Sequence, residues 1–305
     1  MRSASRIYMI CILFASAACA QSPTASVPPL SGERALEHVR AQVAFGPRPP
    51  GSEALQKCRQ YLIQHLEGYG YQVEKDTFEA DTPYGPKQMV NLIARKREAA
   101  GKNIVAMASH YDTKYFEKFT FVGANDAGSS TGLLLELARV LASRNDGLDY
   151  WFVFLDGEEA FIEWSTFDGT YGSRHVARRW REDGTAGKVR ALILLDMIGD
   201  KNVKILKEAN STPWLMDLIW DAAKAAGLGD ILASRPSAVE DDHLPFLDVR
   251  IPAADIIGVD NLGNFPSYWH TEGDTLSNVS ASSLEKVGRL VLAVLPGIER
   301  RLAGR

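Results

Sequence analysis

The chain has 305 residues, of which 46% are hydrophobic and 24% are charged. This composition is typical of a soluble globular protein, and the length suits one large α/β domain. The formal net charge of −4 leaves no basic field, which argues against nucleic acid as a partner.

The amino terminus has the pattern of a secretory leader over residues 1–20. A positively charged start precedes an apolar stretch at 7–18 and the small-residue sequence Ala18-Cys19-Ala20. The apolar stretch is shorter than a typical transmembrane helix, and no later apolar stretch of the sequence is better suited to span a membrane. We therefore expect an exported protein, periplasmic or secreted, that is cleaved after Ala20. Lipidation at Cys19, which would make the protein a lipoprotein, is the alternative.

The rest of the chain is expected to form one folded unit. Residues 21–30 are rich in Ser and Pro and should form a flexible lead-in, whereas 31–305 contain no linker-like or repetitive stretch and should form a single α/β domain. Cys58 is the one cysteine outside the leader that remains in this domain. It shares helical spacing with neighbouring leucines, so a buried thiol is expected.

Apolar periodicity predicts alternating helices and strands along this domain. The predicted helices are 31–43, 52–69, one that residues 129–130 cap, one that ends at 181, 213–226 and 282–302. The predicted strands are 72–78, 88–96, 103–109, 150–155, 189–195 and 251–257. The first two strands should form a hairpin. The alternation predicts a three-layer sandwich with a central twisted sheet, mixed but mostly parallel, flanked by helices.

The most informative stretch lies at 151–161. Five apolar residues run directly into a turn that contains Glu158 and Glu159. Such a run indicates a strand buried on both faces, and chemistry in open α/β sheets collects beyond the carboxyl ends of these strands. Neighbouring side chains in extended chain point in opposite directions, so one carboxylate could hold a metal while the other moves protons. An isolated Glu-Glu pair would more often be a solvated loop.

Other acidic and histidine side chains follow the remaining predicted strands. They are His110, Asp112, Asp126, Asp196 and, after a loop, His270. Each alone is explained by a turn, a loop carboxylate or a surface histidine. Together they place His, Asp and Glu at one edge of one sheet, and this mixture of ligands suits a borderline cation such as zinc.

The order of these motifs resembles the zinc aminopeptidase clan from about residue 31 to the carboxyl terminus. The shared motifs are His-x-Asp at 110–112, Asn-Asp-Ala at 125–127, Asp-Gly-Glu-Glu at 156–159, Leu-Asp-Met-Ile-Gly at 195–199 and the late histidine. Within the clan, the stretches 109–116, 121–124, 156–164, 171–175, 241–246 and 265–270 are similar to the animal-type glutaminyl cyclases (glutaminyl-peptide cyclotransferases). Aminopeptidases need neither the tryptophan beside the last histidine nor the Asp-Asp-His-x-Pro-Phe sequence at 241–246.

The resemblance implies the zinc aminopeptidase fold and a set of site residues. One zinc ion per chain would be held by Asp126, Glu159 and His270, with an open fourth position. The proton-transfer residue would be Glu158, with Asp196 and Asp241 in a hydrogen-bonded carboxylate group beside it. The substrate pocket would be formed by Trp164, Phe265 and Trp269, with Lys114 and Phe116 near its mouth and His243 in or behind its wall. For Trp164 and Phe265, plain core packing is the alternative.

The activity implied by the resemblance is that of an acyltransferase. The amino-terminal glutamine of a peptide or protein would be converted to pyroglutamate with release of ammonia. Because this closure is intramolecular, the enzyme mainly has to hold the reactive conformer. Glu158 would carry a proton from the α-amine to the departing nitrogen, which requires a pKa raised toward neutrality.

Two other functions remain open at this point. A secreted two-zinc aminopeptidase would hold one ion with His110, Asp126 and Asp196 and the other with Asp126, Glu159 and His270. The bulk of Trp164 and Trp269 argues against it. A catalytically inactive binding domain should have lost ligands or Glu158, and none is lost.

The resemblance also implies a difference from many secreted members of the family. These carry a disulfide near the metal site, and the matching positions here are Ser109 and Thr131.

Overall fold

The computed structural model describes residues 28–96 and 103–304. The expected leader and residues 21–27 of the expected lead-in lie outside the described residues. In the part that is described, no helix is both long and apolar enough to cross a membrane.

Helices and strands alternate along the described chain. Its α-helices are α1 (Gly32–Ala44), α2 (Glu53–Gly68), α3 (Gly128–Leu141), α4 (Tyr171–Glu182), α5 (Pro213–Ala225), α6 (His243–Asp248) and α7 (Ala281–Ala303). Its strands are β1 (Tyr71–Thr82), β2 (Gly85–Lys96), β3 (Ile104–His110), β4 (Asp149–Leu155), β5 (Val189–Asp196), β6 (Lys204–Glu208), β7 (Leu232–Ser237) and β8 (Ala253–Val259). Short 3-10 turns lie at Ala186–Lys188, Gly229–Ile231 and Leu276–Asn278.

The strands form one mixed sheet in the order β1-β2-β4-β3-β5-β8-β6-β7. The four strands β4, β3, β5 and β8 in its centre are parallel. The antiparallel hairpin of β1 and β2 extends one side, and β6 joins the other side antiparallel to β8. Because parallel strands run in the same direction, the carboxyl ends of β4, β3, β5 and β8 meet at one edge of the sheet.

The central strands are buried on both faces because helices cover both. Along β4, Tyr150, Phe152 and Phe154 pack into the cluster that contains α1, α2, α3, α5 and α7. The alternate side chains, Trp151 and Val153, pack against α4 and α6 on the opposite face. Because successive side chains of an extended strand point to opposite faces of the sheet, β4 contributes to two separate cores. The predicted three-layer architecture is confirmed.

Most of the predicted elements are present, with small shifts at their ends. The hairpin turn at Thr82 and Gly85 and the full burial of Cys58 are also as expected. β6, β7 and α6 were not predicted, because they are short and β7 is mostly exposed. A segment of five or six residues contains too few positions to show a periodicity that separates it from a loop.

The predicted capping of α3 by Ser129 or Ser130 is wrong. Ala127 precedes the first turn, and the helix start has no side-chain cap. The Ser129 hydroxyl donates to the carbonyl of Asn125 at 2.6 Å, and the Ser130 hydroxyl donates to the carbonyl of Ala127 at 3.1 Å. Both serines lie inside the helix and bond backwards, so neither accepts from a free amide of the first turn.

The contact between α1 and α3 depends on a glycine. A Cβ at Gly132 would lie 2.8 Å from the carbonyl oxygen of Ala35 and 2.9 Å from a methyl of Val39. We expect Gly132→Val to lower the free energy of unfolding by about 1–3 kcal/mol, as overpacking does. Urea denaturation of the purified variant measures this. Gly68→Ala is the matched control, because a Cβ there meets nothing within 4 Å; a loss as large as that of Gly132→Val would contradict the packing argument.

Candidate metal and substrate site

The predicted site residues meet at the carboxyl edge of the parallel strands. His110 is the last residue of β3, and Asp196 is the last residue of β5. Glu158 and Glu159 follow β4 by a short turn, and Asp126 lies just before α3. The connections after three strands, β3, β4 and β5, therefore bring these polar side chains to one place.

Asp126, Glu159 and His270 form a group that can hold a metal ion. The Nε2 atom of His270 lies 3.3 Å from Asp126 Oδ2 and 3.3 Å from Glu159 Oε1. Tetrahedral zinc with ligand bonds of about 2.0–2.1 Å requires ligand atoms about 3.3 Å apart. Two carboxylates and one imidazole at this spacing fit zinc in both chemistry and distance.

A second group shares Asp126 with the first. It consists of His110, Asp126 and Asp196. The Nε2 atom of His110 lies 3.2 Å from Asp126 Oδ1 and 3.2 Å from Asp196 Oδ1. Asp126 thus directs one oxygen to each histidine, and the chain provides both of the groups that a two-zinc site would use.

Buried carboxylates hold the backbone of the ligand-bearing turns. Asp112 accepts the backbone N–H groups of Glu158 at 3.2 Å and Glu159 at 3.3 Å. Asp274 accepts those of Asn125 at 2.7 Å and Asp126 at 3.1 Å. Asp112 was noticed in the sequence through its place beside His110. Asp274 was missed, since its partners are 148 or more residues away and no local pattern marks it.

Arg48, which is fully buried, was also not identified from the sequence. Its guanidinium donates to the carbonyls of Val122 at 2.9 Å and Gly123 at 3.1 Å. This fixes the loop that leads to Asp126. In the sequence, Arg48 stands in a Gly- and Pro-rich stretch that indicates only a turn.

Burial and mutual repulsion raise the pKa values of the carboxyl groups beside the metal groups. Burial, followed by the charges of Glu159 and Asp241, raises the pKa of Glu158 well above its usual value, although His110 opposes this. Burial and the charge of Asp196 raise the pKa of Asp241 to about 7. Burial likewise raises the pKa of Asp196 against the pull of His110. These carboxyl groups are therefore able to retain protons near neutral pH.

Two of the proposed ligands, Asp126 and His270, show the opposite balance. Burial disfavours the charged form of His270, but hydrogen bonds to Asp126 and Glu159 outweigh it and raise the pKa to about 10. Burial would raise the pKa of Asp126, yet its bonds to His110 and His270 hold the pKa below the usual value. Closely spaced carboxylates and imidazoles of this kind favour a cation among them.

A cavity of about 500 Å³ opens directly onto this group. Its size is that of a small-molecule site. All of the residues that the resemblance implies for the cyclotransferase site line it except Phe116 and His243; His110, from the two-zinc alternative, does not line it. The cavity thus joins the proposed metal ligands, the raised-pKa carboxyls and the aromatic residues in one space.

Phe116 and His243 are not part of the cavity lining. The Phe116 ring packs edge-on against His270, with centroids 5.8 Å apart. His243 is fully buried, with Nε2 3.2 Å from Glu208 Oε2 and Nδ1 4.0 Å from Asp255 Oδ2. As the first residue of α6, His243 faces these buried carboxylates, so in this structure it is screened from the cavity.

Aromatic side chains form much of the remaining surface. Trp269 stacks on His270 with centroids 3.9 Å apart, and Phe265 packs against Trp269 at 4.6 Å. Trp164 is 37% exposed, and its indole N–H donates to Glu240 at 2.9 Å. Trp164 is therefore a surface of the cavity and not a core residue. His270 has φ of 54°, a left-handed conformation that is uncommon for residues other than glycine.

Ser109 and Thr131 face each other next to β3. Their hydroxyl oxygens are 3.3 Å apart, and Ser109 also donates to Ser130 at 2.9 Å. Hydroxyl contacts thus occupy the place for which the resemblance implies a disulfide in many secreted members.

Comparison with known proteins agrees with this geometry. The family described as Peptidase family M28 matches residues 91–295. A glutaminyl-peptide cyclotransferase of Drosophila melanogaster is 30% identical over 284 residues, which cover 85% of this chain and 78% of the relative. The crystal structure of an Acidobacteriales bacterium glutaminyl cyclase is 39% identical with a TM-score of 0.83, over 92% of this chain and 99% of that chain.

The chain belongs to the glutaminyl-peptide cyclotransferases of peptidase family M28. A Zn-dependent exopeptidase from Parabacteroides distasonis has the same fold, with 29% identity and a TM-score of 0.78 over 88% of this chain and 99% of that chain. The family resemblance and the zinc aminopeptidase-like fold expected from the sequence are confirmed. This cyclotransferase is an enzyme of the acyltransferase class, and the aminopeptidase alternative has less support.

Because both ligand groups contain Asp126, replacement of this residue tests metal binding. We expect zinc added to metal-free protein to raise the melting temperature by several degrees, since a ligand at about 100 times its Kd stabilises by about 2.7 kcal/mol. Asp126→Ala should abolish this rise, because the variant lacks the one carboxylate that both ligand groups share. Differential scanning calorimetry with and without zinc measures it.

Asp217→Ala is the control for that experiment. Asp217 is an exposed carboxylate paired with Lys207 at 3.0 Å, and its loss should leave the zinc response intact. A full response in Asp126→Ala would show that this carboxylate is not a ligand.

Proposed function

We propose that the protein uses one zinc ion per chain to convert the amino-terminal glutamine of peptides or proteins to pyroglutamate with release of ammonia. The observation that carries the proposal is the cavity, in which Glu158, with its raised pKa, lies beside the group Asp126, Glu159 and His270 under aromatic walls. Membership of the cyclotransferases supports it.

The ligand group fits the proposed metal, as its donor types and 3.3 Å spacings indicate. Asp126, Glu159 and His270 would hold the ion and leave a position open to the cavity. When bound, zinc supplies Lewis-acid polarisation of the substrate γ-carbonyl and stabilises negative charge on its oxygen.

The protein side of the reaction is mostly positioning. The substrate brings its own nucleophile, the α-amine, and its own electrophile, the γ-amide carbon. A carbon–nitrogen bond forms between them, and the original amide bond breaks to release ammonia. Trp164, Phe265 and Trp269 enclose the space in which the chain must fold back on itself, and they exclude water that would hydrolyse the amide instead.

Glu158 is the proposed proton carrier. Its carboxylate takes a proton from the α-amine as the ring closes and delivers it to the departing nitrogen. A group with a raised pKa performs both transfers better than an ordinary carboxylate, which holds a proton too weakly to return it. Asp241 supports this because its negative charge helps to raise the pKa of Glu158, and the charge of Asp196 in turn raises the pKa of Asp241.

Lys114 has a structural contact besides its place in the cavity wall. Its ammonium donates to the carbonyl of Ala160 and lies 4.0 Å from Glu159 Oε2. This orients the turn that carries the proposed metal ligand. Lys114 would thus influence both the ligand and the approach of substrate.

Replacement of Glu158 tests its role. Glu158→Gln should lower the rate of ammonia release by at least about 100-fold, because an amide of the same shape cannot carry the proton. The bound zinc, measured by elemental analysis, should remain. Glu285→Gln, an exposed change on α7, is the matched control. A Glu158→Gln variant with full activity would remove Glu158 from the mechanism.

Mass spectrometry of two peptides tests the function itself. A peptide that begins with Gln-Phe should lose one ammonia with its chain intact, and a peptide that begins with Leu-Phe should be unchanged. Elemental analysis of the same sample should give one zinc per chain. Release of free amino-terminal residues, together with two zinc ions per chain, would instead establish the aminopeptidase, whose second ligand group is His110, Asp126 and Asp196.

We also propose that the protein acts after export, on the basis of the leader pattern at residues 1–20. Its substrates would then be peptides or proteins in the periplasm or outside the cell. Amino-terminal analysis of the mature protein separates cleavage after Ala20 from lipidation at Cys19, and an uncleaved amino terminus would contradict export by either route.

A further inference from the structure

One wall of the cavity is an irregular loop with little packing of its own. We call residues 161–169, between Glu159 and α4, the wall loop. Three consecutive residues of it, Ile162, Glu163 and Trp164, line the cavity. The loop is unusually exposed for an apolar sequence, with Ile162 at 61% and Phe167 at 82%. Apolar burial therefore does not fix the shape of this wall, and polar contacts must.

Asp168 provides the main contact at the start of the loop. Its Oδ1 accepts the backbone N–H of Phe161 at 2.8 Å and the hydroxyl of Tyr171 at 3.0 Å. Its Oδ2 accepts the backbone N–H groups of Ile162 at 2.8 Å and Glu163 at 3.2 Å. One buried carboxylate thus collects three successive amides, in the manner of a capped turn.

The far end of the loop is held by α4. The Arg174 guanidinium donates to the carbonyls of Thr166 and Gly169, both at 2.8 Å. The Trp164 ring packs directly on Gly169, where a Cβ would come within 3.1 Å of it. Gly169 also has φ of 124°, which other residues rarely adopt.

The fixed loop places Trp164 across the mouth of the cavity. The indole N–H of Trp164 reaches Glu240, a residue 76 positions further along the chain on the opposite lining segment. The direction of the indole depends on the course of the loop, and that course depends on the three amides held by Asp168. We call these contacts of Asp168 the brace. The brace therefore determines where this part of the cavity wall lies.

We propose that Asp168 is a positioning residue for substrate binding: it braces the wall loop so that Trp164 closes over the amino-terminal residue of the substrate. This role rests on the proposed function. It differs from a merely structural role because the braced segment is exposed and lies outside the cores that stabilise the sheet.

Asp168→Asn is the primary test. The amide keeps one acceptor oxygen but directs an N–H₂ group at backbone N–H groups, so at least one side of the brace is lost. With a Gln-Phe-type peptide, we expect KM to rise by about tenfold while kcat changes by less than about twofold, the pattern of lost uniform binding. Zinc content should stay at the wild-type value. Thr166→Ala, on the same loop but outside these side-chain contacts, is the control and should leave both constants unchanged.

Gly169→Ala provides an independent variant. It leaves Asp168 intact and displaces the Trp164 ring, so it should raise KM in the same way. If both variants retain the wild-type KM, or if kcat falls with KM unchanged, Asp168 does not position the binding wall and the proposal is overturned.

Hydrogen exchange separates this proposal from the proposed function. In wild-type protein the amides of Phe161, Ile162 and Glu163 should be protected, and in Asp168→Asn they should exchange at least about tenfold faster. Equal protection in both proteins would overturn the brace even if the enzyme is an active cyclase. A wild-type protein that releases no ammonia but shows the protection difference would overturn the proposed function and leave the brace standing.

Discussion

The burial of several carboxyl groups within a few ångströms of one another is the constraint on which the site depends. When ionised, Asp241 repels Glu158, and Asp196 repels Asp241. Two kinds of compensation are present: His110 and His270 sit between carboxylates, and the remaining carboxyl groups have raised pKa values. A cation in the Asp126 group relieves the same repulsion. The site is therefore built so that metal binding and proton retention depend on each other.

The sheet explains how such a group can be assembled at all. Each fully buried strand is followed by a turn. Because the four central strands are parallel, the turns that follow them lie side by side. Buried carboxylates hold these turns by accepting their backbone N–H groups. Asp112 does so for the turn that contains Glu158, and Asp274 does so for the turn that contains Asp126. Neither acceptor reaches into the cavity lining, so the reacting groups are free for chemistry while the backbone beneath them is rigid.

The sequence predicted the parts of the molecule that are marked by local patterns. The buried strands, the hairpin and the polar residues at strand ends follow from apolar runs and from the motifs of the family. The contacts of Asp274, Arg48 and Asp168 could not be predicted in this way, because the folded path of the chain decides which backbone N–H groups a carboxylate accepts from and which carbonyls a guanidinium donates to. β6, β7 and α6 were also missed, because each is only five or six residues long and is formed by tertiary pairing more than by local preference.

The same fold occurs in zinc peptidases and in glutaminyl cyclases, so the metal ligands and the cavity walls must be considered separately. The ligand groups around Asp126 suit a peptidase as well as a cyclase, and a Zn-dependent exopeptidase has the same fold. An aminopeptidase must admit many side chains at the amino-terminal residue, and it must admit water. Here Trp269 stacked on His270 and Trp164 bonded to Glu240 narrow the space above the metal group. The ligand groups therefore do not separate the two chemistries, and in the proposed function the aromatic walls favour closure onto the substrate's own amine by limiting the access of water.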